Sequence, residues 1–512
     1  MRHSDLADSC GEAMVCDEMK SFSDRRHFLQ TGAAAGALGL FAKVPAVSAE
    51  ESKVDTEFVS FRPEIEPLVR LLEETSRERV LEEVGARIMK GTTYREVLSA
   101  LLLAGVRNIQ PRPVGFKFHA VLVVNSAHLA AQNSPDSDRW LPIFWALDQF
   151  KSSQARDVKE GNWTMAPVDE TAVPPAEKAR AMFEEAMNGW DVAKTDAAAA
   201  GLARTGGAQE LFDVFARYGA RDFRDIGHKT IYVSNSWRTL QTIGWQHAEP
   251  VLRSLAYALL EHGGENPSQS DQEADRPGRN NAELVKTIRN GWQQGEAKVG
   301  ASTDLLVLLR EGSWQDASRM VVAMLNKRIA PQSIWDALFQ HSAEMLMRRP
   351  GIVPLHACTS TNAMHYAYQH SFNDETRRFL LLQNAAFLTM FRDRGGVKEG
   401  IAIDQFEAAE GTPNLEEIFA EVSGNKVKAA QKALAHLRVA KDPKPFIDAA
   451  QRLIYLKGTG SHDYKFSSAV LEDYYHLSPA NRDRFLAAST SWLQGSKKED
   501  SKLVARTRAA MG

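Results

Sequence analysis

The sequence predicts an all-α protein, a multi-helix bundle or array, and three observations lead to that prediction. Apolar residues recur at helical spacing from the first part of the chain that follows the N-terminal leader, for example at Val69, Leu72, Val80 and Val84. No series of alternating strands bounded by hairpin turns occurs in the sequence. Proline-rich breaks, such as the one at residues 108–113, punctuate the periodic stretches. We therefore expect a fold that is mostly or wholly helical.

The apolar run at 118–131 is the one stretch that would fit either a buried helix or a buried strand. We favour a helix because Ala127, Leu129 and Ala130 continue the run. Pro250 suits the first turn of a helix that follows it. Further helices are predicted at 66–103, 176–204, 283–299, 303–327, 334–347, 375–393, 414–440, 445–457 and 477–493.

Two polar segments interrupt the helical pattern. Residues 152–176 contain Pro174 and Pro175 at their end and are predicted to form a loop. Residues 262–281 are rich in Gly, Ser, Asp, Gln and Pro and are interpreted as a polar insert. The predicted organisation is a leader at 1–49, followed by a single helical domain at 50–512 that carries this insert.

The overall composition is that of an ordinary globular protein. Of 512 residues, 44% are hydrophobic and 25% are charged, and the formal net charge is −3. Because the basic residues are scattered among acidic ones, nucleic acids and anionic membranes are poor candidates for partners.

The first fifty residues resemble a twin-arginine export signal. Ser-Asp-Arg-Arg-His-Phe-Leu-Gln at 23–30 is followed by a Gly/Ala-rich apolar run at 31–44. Val47 and Ala49 suit cleavage after Ala49, which predicts an exported or periplasmic protein that engages the twin-arginine export machinery. The apolar run is short for a membrane span, and an uncleaved N-terminal anchor is the alternative. No membrane span is expected in the mature chain.

Cysteine usage excludes several kinds of site. Cys10 and Cys16 lie in the leader, so Cys358 is alone in the mature chain, and no CxxC or CxxCH pattern exists. Structural zinc, iron–sulfur clusters and c-type haem are therefore not expected. The twin-arginine route exports folded proteins, often with a cofactor already installed, which favours a metalloprotein.

A short motif occurs twice and is a candidate internal duplication. His119-Ala120 with Asn125 and His128 aligns without a gap onto His356-Ala357 with Asn362 and His365. On a helix, nine residues place the two histidines of each copy on opposite faces, so only one of each pair can face a shared centre. We choose His119 and His356 because both follow proline-containing breaks, and we interpret His128 and His365 as core histidines.

Two more histidines open helical runs, His228 after a glycine and His462 in Ser-His-Asp-Tyr-Lys. Lys465 lies three residues after His462, on the same helical face. Any single histidine is more often structural than a ligand, but four from separate helices of a bundle would form a transition-metal centre. Candidates for the surrounding pocket are Tyr232, Asn235, Trp237, Trp245 and His247.

Four segments, in this order, resemble the questin oxidase-like family: His119 before an apolar helix, His228 in Gly-His-Lys-Thr-Ile-Tyr, His356 in Leu-His-Ala-Cys-Thr-Ser-Thr, and His462-Asp-Tyr-Lys465. Members of that family are helical oxygenases. The resemblance implies a mononuclear non-haem iron held by four histidines and a carboxylated lysine. Carried onto this sequence, the ligands are His119, His228, His356, His462 and Lys465. The export signal and the polar insert depart from the family pattern.

The resemblance implies an exported, metal-dependent oxygenase with an oxygenase-like domain at 50–512. The expected reaction is Fe(II)- and dioxygen-dependent cleavage of, or oxygen insertion into, an aromatic, quinone-like or other small organic substrate. NADPH is one candidate electron donor, and no residue pattern specifies it. Two alternatives stay open: a non-catalytic helical binding or scaffold protein with structural histidines, and a different metalloenzyme that uses the same histidines for another transition metal.

Overall fold

The structure, a computed structural model, describes residues 58–260, 265–397 and 400–512. These residues belong to one compact unit, Thr56–Gly512. The predicted export signal, its cleavage after Ala49 and the alternative of an uncleaved anchor all lie outside the described residues.

The all-α prediction is confirmed for the described part of the chain. Its only β-type pairing is an isolated bridge between Glu296 and Ile329, and no sheet forms among these residues. No helix among them is long and apolar enough to cross a membrane. The helices of the first half are α1 (Glu66–Glu74), α2 (Val80–Met89), α3 (Tyr94–Asn108), α4 (His119–Leu122), α5 (Val124–Gln132), α6 (Leu141–Glu160), α7 (Ala176–Gly189), α8 (Val192–Thr205), α9 (Ala208–Gly219), α10 (His228–Ile243) and α11 (Ala248–Leu259).

The second half continues the same pattern. Short 3₁₀ turns join several helices across the whole fold, among them Phe116–Phe118, which runs directly into α4. The remaining helices are α12 (Arg276–Leu284), α13 (Val299–Glu311), α14 (Trp314–Asn326), α15 (Pro331–Arg348), α16 (Ile352–His370), α17 (Asp374–Gly395), α18 (Leu415–Val422), α19 (Lys426–Val439), α20 (Lys444–Lys457), α21 (Ser461–Asp473), α22 (Pro479–Ala488) and α23 (Lys502–Met511).

Several helices begin where the local sequence supplies a capping box. At the start of α3 the Thr93 hydroxyl accepts from the Glu96 backbone N–H, and the Glu96 carboxylate accepts from the Thr93 N–H at 2.7 Å. Ser313 with Asp316 starts α14 in the same way, and Asn414 begins α18. Each box satisfies two of the backbone donors that a helix N-terminus leaves without partners.

The structure corrects or refines four local predictions. The helix predicted at 283–299 was wrong, because α12 ends at Leu284 and residues 288–298, after the 3₁₀ turn Val285–Thr287, are not helical. The run at 118–131 is helical, as favoured, but it divides at Val123 into α4 and α5. The loop predicted for 152–176 was wrong at its start, because α6 continues to Glu160. Polar residues there, such as Arg156 paired with Glu160 one turn later, form an exposed helix face rather than a loop. In the polar insert at 262–281, residues from Arg276 onward belong to α12, with Pro277 in its first turn.

Helix α16 lies at the centre of the fold and is buried almost from end to end. Every residue from Pro354 to Tyr368 is buried. It packs against α10, α15, α17 and α21, and the two copies of the repeated motif share neighbours, because α5 also packs against α10 and α21. This arrangement brings the beginnings of α4, α10, α16 and α21 to one region.

Candidate metal centre

Four histidines from four helices meet in this region. His119 and His228 are the first residues of α4 and α10, His462 is the second residue of α21, and His356 lies in the second turn of α16. The ring centroids are 4.9 Å apart for His119–His228, 4.3 Å for His228–His356, 5.1 Å for His356–His462 and 4.7 Å for His119–His462. The four imidazoles therefore form a closed ring of neighbours.

Three of these histidines present ligand atoms that could hold a metal ion. The nitrogens of His119, His228 and His356 all lie within 4.8 Å of one another. The Nε2 atoms of His119 and His228 are only 3.0 Å apart. His462 stands beside this group with its ring facing both His119 and His356.

Backbone carbonyls orient three of the imidazoles in the same way. The Nδ1 atom lies 2.8 Å from the Phe116 carbonyl in His119, 2.7 Å from the Asp225 carbonyl in His228, and 2.7 Å from the Ile352 carbonyl in His356. A carbonyl can only accept, so each Nδ1 carries the proton and each Nε2 presents a lone pair to the centre. Such outer hydrogen bonds fix the tautomer of metal-binding histidines in general.

Burial keeps all four imidazoles neutral at pH 7. Burial and the nearby Lys465 charge hold the pKa of His119 and His228 well below the ordinary value. Burial and the neighbouring His228 do the same to the pKa of His356, and burial lowers the pKa of His462 to about 4. Neutral imidazole is the form that ligates metals.

Lys465 enters the centre from the same helix as His462. Its Nζ lies 3.5 Å from His356 Nε2, and the residue is 2% exposed. No ion pair joins Lys465 to a carboxylate among the described residues, and burial lowers the pKa of its amine to about 7. A buried lysine with this environment is a candidate for a neutral amine at working pH.

Strained backbone precedes two of the histidines. Phe116, three residues before His119, has φ 46°, and Ile226, two residues before His228, has φ 44°. For residues other than glycine such values cost about 1–3 kcal/mol each, and they cluster at functional sites. The strain turns the Phe116 and Asp225 carbonyls toward the imidazoles that they orient.

Gly115 is required by the close packing beside Phe116. Its φ is +140°, and a Cβ there would lie 3.3 Å from Cε1 and 3.4 Å from Nε2 of His228. Glycine therefore lets the chain pass directly against the imidazole. Gly227, the residue before His228, adopts φ 77°, and a Cβ there would lie 2.5 Å from Cβ of Ser360.

The predicted pocket residues divide into two groups. Tyr232 packs edge-on against Phe118, the neighbour of His119, and donates to Ser254 at 2.7 Å. Asn235 donates to the Leu122 carbonyl at 2.9 Å, so both residues brace the helix that begins with His119.

The other three predicted pocket residues make their contacts elsewhere. Trp237 packs against Phe212 and Trp245, with ring centroids 5.0 and 5.2 Å apart. His247 is buried, and burial together with the Arg62 charge lowers its pKa. None of the three has a ring contact or hydrogen bond to the four imidazoles among the described residues.

The second histidine of each repeat copy lies outside the cluster. His128 Nδ1 is 2.9 Å from the Tyr94 hydroxyl, and its Nε2 is 3.3 Å from the Thr242 hydroxyl. His365 packs among aromatic rings, including those of Trp335 and Phe339 at 4.7 and 5.0 Å. In each copy of the repeated motif, the structure therefore places one histidine in the cluster and the other outside it, as the helical-face argument expects.

The donor set fits a transition metal. Two Nε2 lone pairs at 3.0 Å repel each other unless a cation lies between them. Metal–imidazole bonds of about 2.0–2.1 Å put adjacent nitrogens about 2.9 Å apart at right angles and about 3.3 Å apart at the tetrahedral angle. In addition, Nε2 of His462 is buried without a hydrogen-bond partner. Three imidazoles with converging nitrogens, and a fourth beside them, therefore suit a metal better than a hydrogen-bonded core.

Sequence reasoning missed the residues that orient the imidazoles. The Phe116, Asp225 and Ile352 carbonyls act through the backbone, so their side chains carry no signal. The available clue was the glycine pair, Gly115 and Gly227, close to two of the histidines. Comparisons of the chain with known proteins found no matching family model, no similar curated protein and no similar solved structure.

Proposed function

We propose that this chain is an exported non-haem iron oxygenase of the questin oxidase-like type. The observation that supports it is the convergence of four neutral imidazoles and one buried lysine amine, with two Nε2 lone pairs 3.0 Å apart. The resemblance of the four histidine segments to that family and the twin-arginine-like leader support the same proposal.

In this proposal His119, His228, His356 and His462 hold Fe(II), and Lys465 supplies the fifth donor. Iron bound there would supply the activation of dioxygen for oxygen insertion beside a carbonyl or for carbon–carbon cleavage. The Phe116, Asp225 and Ile352 carbonyls keep three imidazoles in the ligating tautomer. Burial of His228 and His356 limits water around them.

Lys465 would act as a carbamate. The neutral amine attacks carbon dioxide, a nitrogen–carbon bond forms, and one proton leaves to solvent, so that an anionic oxygen faces the centre. A protonated ammonium would repel a divalent cation, which makes the lowered pKa of about 7 a requirement for this step. An anionic oxygen among four neutral nitrogens also offsets part of the metal charge.

The substrate in this proposal is a small electron-rich aromatic or quinone-like molecule. Phe116 supports that class, because its side chain is 66% exposed three residues before His119. A planar apolar ring could contact such a side chain while it approaches the histidines.

Metal analysis tests the proposal. The full chain is expressed with its leader and purified without chelator, and iron, copper, manganese and zinc are measured per chain. About one equivalent of iron is expected, with His356→Gln losing most of it and His365→Gln, on the same helix but outside the cluster, retaining it.

The outcomes separate the alternatives. Less than about a tenth of an equivalent of any transition metal would favour a helical binding protein with structural histidines. A full equivalent of copper or manganese would favour a different metalloenzyme on the same ligands. Oxygen uptake with phenols and quinones, compared between wild type and His356→Gln, then tests the oxygenase itself.

A further inference from the structure

A separate cavity lies between α7, α9, α12 and the beginning of α17. Its volume is about 350 Å³. Four arginines line it, Arg180, Arg217, Arg221 and Arg279, against three carboxylates, Glu184, Asp213 and Asp275. A cavity with this lining attracts anions if its carboxylates already have partners.

Each lining carboxylate does have a partner. Asp275 receives two hydrogen bonds from Arg224, at 2.8 and 2.5 Å. Asp213 accepts from the Ser371 hydroxyl and from the Phe372 backbone N–H. Glu184 accepts from Arg180 Nε at 3.0 Å. None of these three acids is hydrogen-bonded to Arg221 among the described residues.

Arg221 differs from the other three lining arginines because it forms no ion pair with a carboxylate among the described residues. Its Nη1 donates to the Met187 carbonyl at 3.2 Å, whereas Nε and Nη2 are buried without any hydrogen-bond partner. Burial lowers its pKa even though Asp222 and Asp275 oppose that effect. Buried guanidinium donors are normally paired, because leaving them without acceptors is costly.

Aromatic rings hold the Arg221 guanidinium in place. Its Cζ lies 4.7 Å from the centroid of the Trp190 ring and 5.2 Å from that of Tyr218. Cation–π contacts of this kind stabilise the charge of a buried guanidinium without using its N–H donors, so that Nε and Nη2 can still bind an oxyanion.

We propose that this cavity binds a small oxyanion, a phosphate or a carboxylate, with Arg221 as its principal ligand. Arg217, Arg279 and Thr376 line the same cavity and would supply further donors. Arg217 also pairs with Glu375, and Arg279 Nη1 also donates to the Pro267 and Ser270 carbonyls. A rotation of the guanidinium accompanies binding, because Nε and Nη2 are covered in this structure. The proposal does not rest on the histidine centre, which no residue of the cavity lining shares.

Titration calorimetry of the full chain with inorganic phosphate, and separately with succinate, tests the proposal at constant ionic strength set with chloride. Saturable binding is expected for at least one of the two, and the stronger of them identifies phosphate or carboxylate as the natural chemistry. Arg221→Gln should lower the affinity for the more tightly bound of the two anions at least about tenfold. Arg319→Gln, an exposed arginine outside the cavity, should leave the affinity unchanged.

Arg217→Gln is the second variant, because Arg217 is 47% exposed and its replacement is expected to fold. It should lower the affinity for the same anion by a smaller factor. If circular dichroism shows that Arg221→Gln has lost its helices, the affinity of Arg217→Gln tests the proposal instead. Unaltered affinity in a folded Arg221→Gln chain would overturn the proposal. So would the absence of saturable binding in wild type, or binding that His356→Gln abolishes.

Discussion

His341 offers a quantitative test of how burial controls protonation in this fold. It lies in α15, is 1% exposed, and neither ring nitrogen has a hydrogen-bond partner among the described residues. Burial, with the charges of Arg392 and Arg348 next in importance, lowers its pKa to about 3. In the unfolded chain the same side chain has a pKa of about 6.5.

The sign of the effect follows from these two values. The unfolded state binds a proton below pH 6.5 and the folded state does not until about pH 3, so His341 destabilises the fold as the pH falls through that window. Between pH 6.5 and pH 5 the unfolding free energy falls by about 1.4 kcal/mol per pH unit over about 1.5 pH units. His341 therefore lowers the unfolding free energy at pH 5 by about 2 kcal/mol relative to pH 7.5.

Replacing His341 with Met removes this cost. Because the imidazole makes no hydrogen bonds, an apolar side chain of similar length should be nearly neutral at pH 7.5. Between pH 7.5 and pH 5 the variant should then lose about 2 kcal/mol less unfolding free energy than wild type. Urea unfolding followed by circular dichroism at the two pH values measures the difference.

Leu346→Met, a buried apolar exchange on the same helix, is the matched control and should follow the wild-type pH dependence. Equal losses in His341→Met and wild type would refute the reasoning. That result would mean that His341 is already protonated, or hydrogen-bonded to water, in the folded chain.

Three further predictions concern the centre and the helix ends. Gly115→Ala should displace the His228 ring and lower the amount of bound iron at least several-fold. The control is Gly161→Ala, at a similar φ of +144° with nothing within 4 Å, which should cost about 1 kcal/mol of stability and leave bound iron unchanged. Metal analysis and urea unfolding compare the two variants, and equal bound iron in both would contradict the packing argument. Lys465→Met should lower the iron content of the protein. Wild-type protein stripped of iron by a chelator should take up iron better when bicarbonate is added, because carbamate formation consumes carbon dioxide. Iron uptake that does not depend on bicarbonate would argue against the carbamate. Thr93→Ala should reduce unfolding free energy by about 1 kcal/mol through loss of the α3 capping box, measured in urea, and an unchanged midpoint would show that the box contributes nothing.

Helical periodicity was sufficient to predict the fold class and most of the helices. It failed where polarity was taken for a loop, at the end of α6, because an exposed helix face and a loop have similar composition. It also did not place the break at Val123, because no proline or glycine in the run marks it and its backbone, with φ −85° and ψ −12°, stays in the helical region.

Helix geometry helped to predict the histidines of the centre, because it allows only one histidine of each copy of the repeated motif to face a shared centre. Nine residues between His119 and His128 place them on opposite faces, and the structure puts one in the cluster and bonds the other to Tyr94. Lys465 required the family resemblance, since periodicity puts it only on the same face as His462. Its distance to His356 depends on how α16 and α21 pack, which no local pattern specifies.

Tertiary packing decides the features that the sequence did not predict. Arg221 Nε and Nη2 have no acceptor among the described residues because the neighbouring acids find other partners. For Asp275 that partner, Arg224, is more than fifty residues away in the sequence. Trp237 and Trp245 were predicted as pocket residues from the sequence, yet their rings pack against each other at an interplanar angle of 60°. Long-range contacts of this kind leave no periodic trace.

Three of the four helices that carry the histidines are long enough to have a macrodipole, and each begins at its histidine or within four residues before it. Helix α10 begins with His228, α21 begins one residue before His462, and α16 begins four residues before His356. Each N-terminus carries roughly half a positive charge. An anionic oxygen donor at the centre, such as the proposed carbamate of Lys465, would therefore be stabilised by the backbone of these helices as well as by a metal ion.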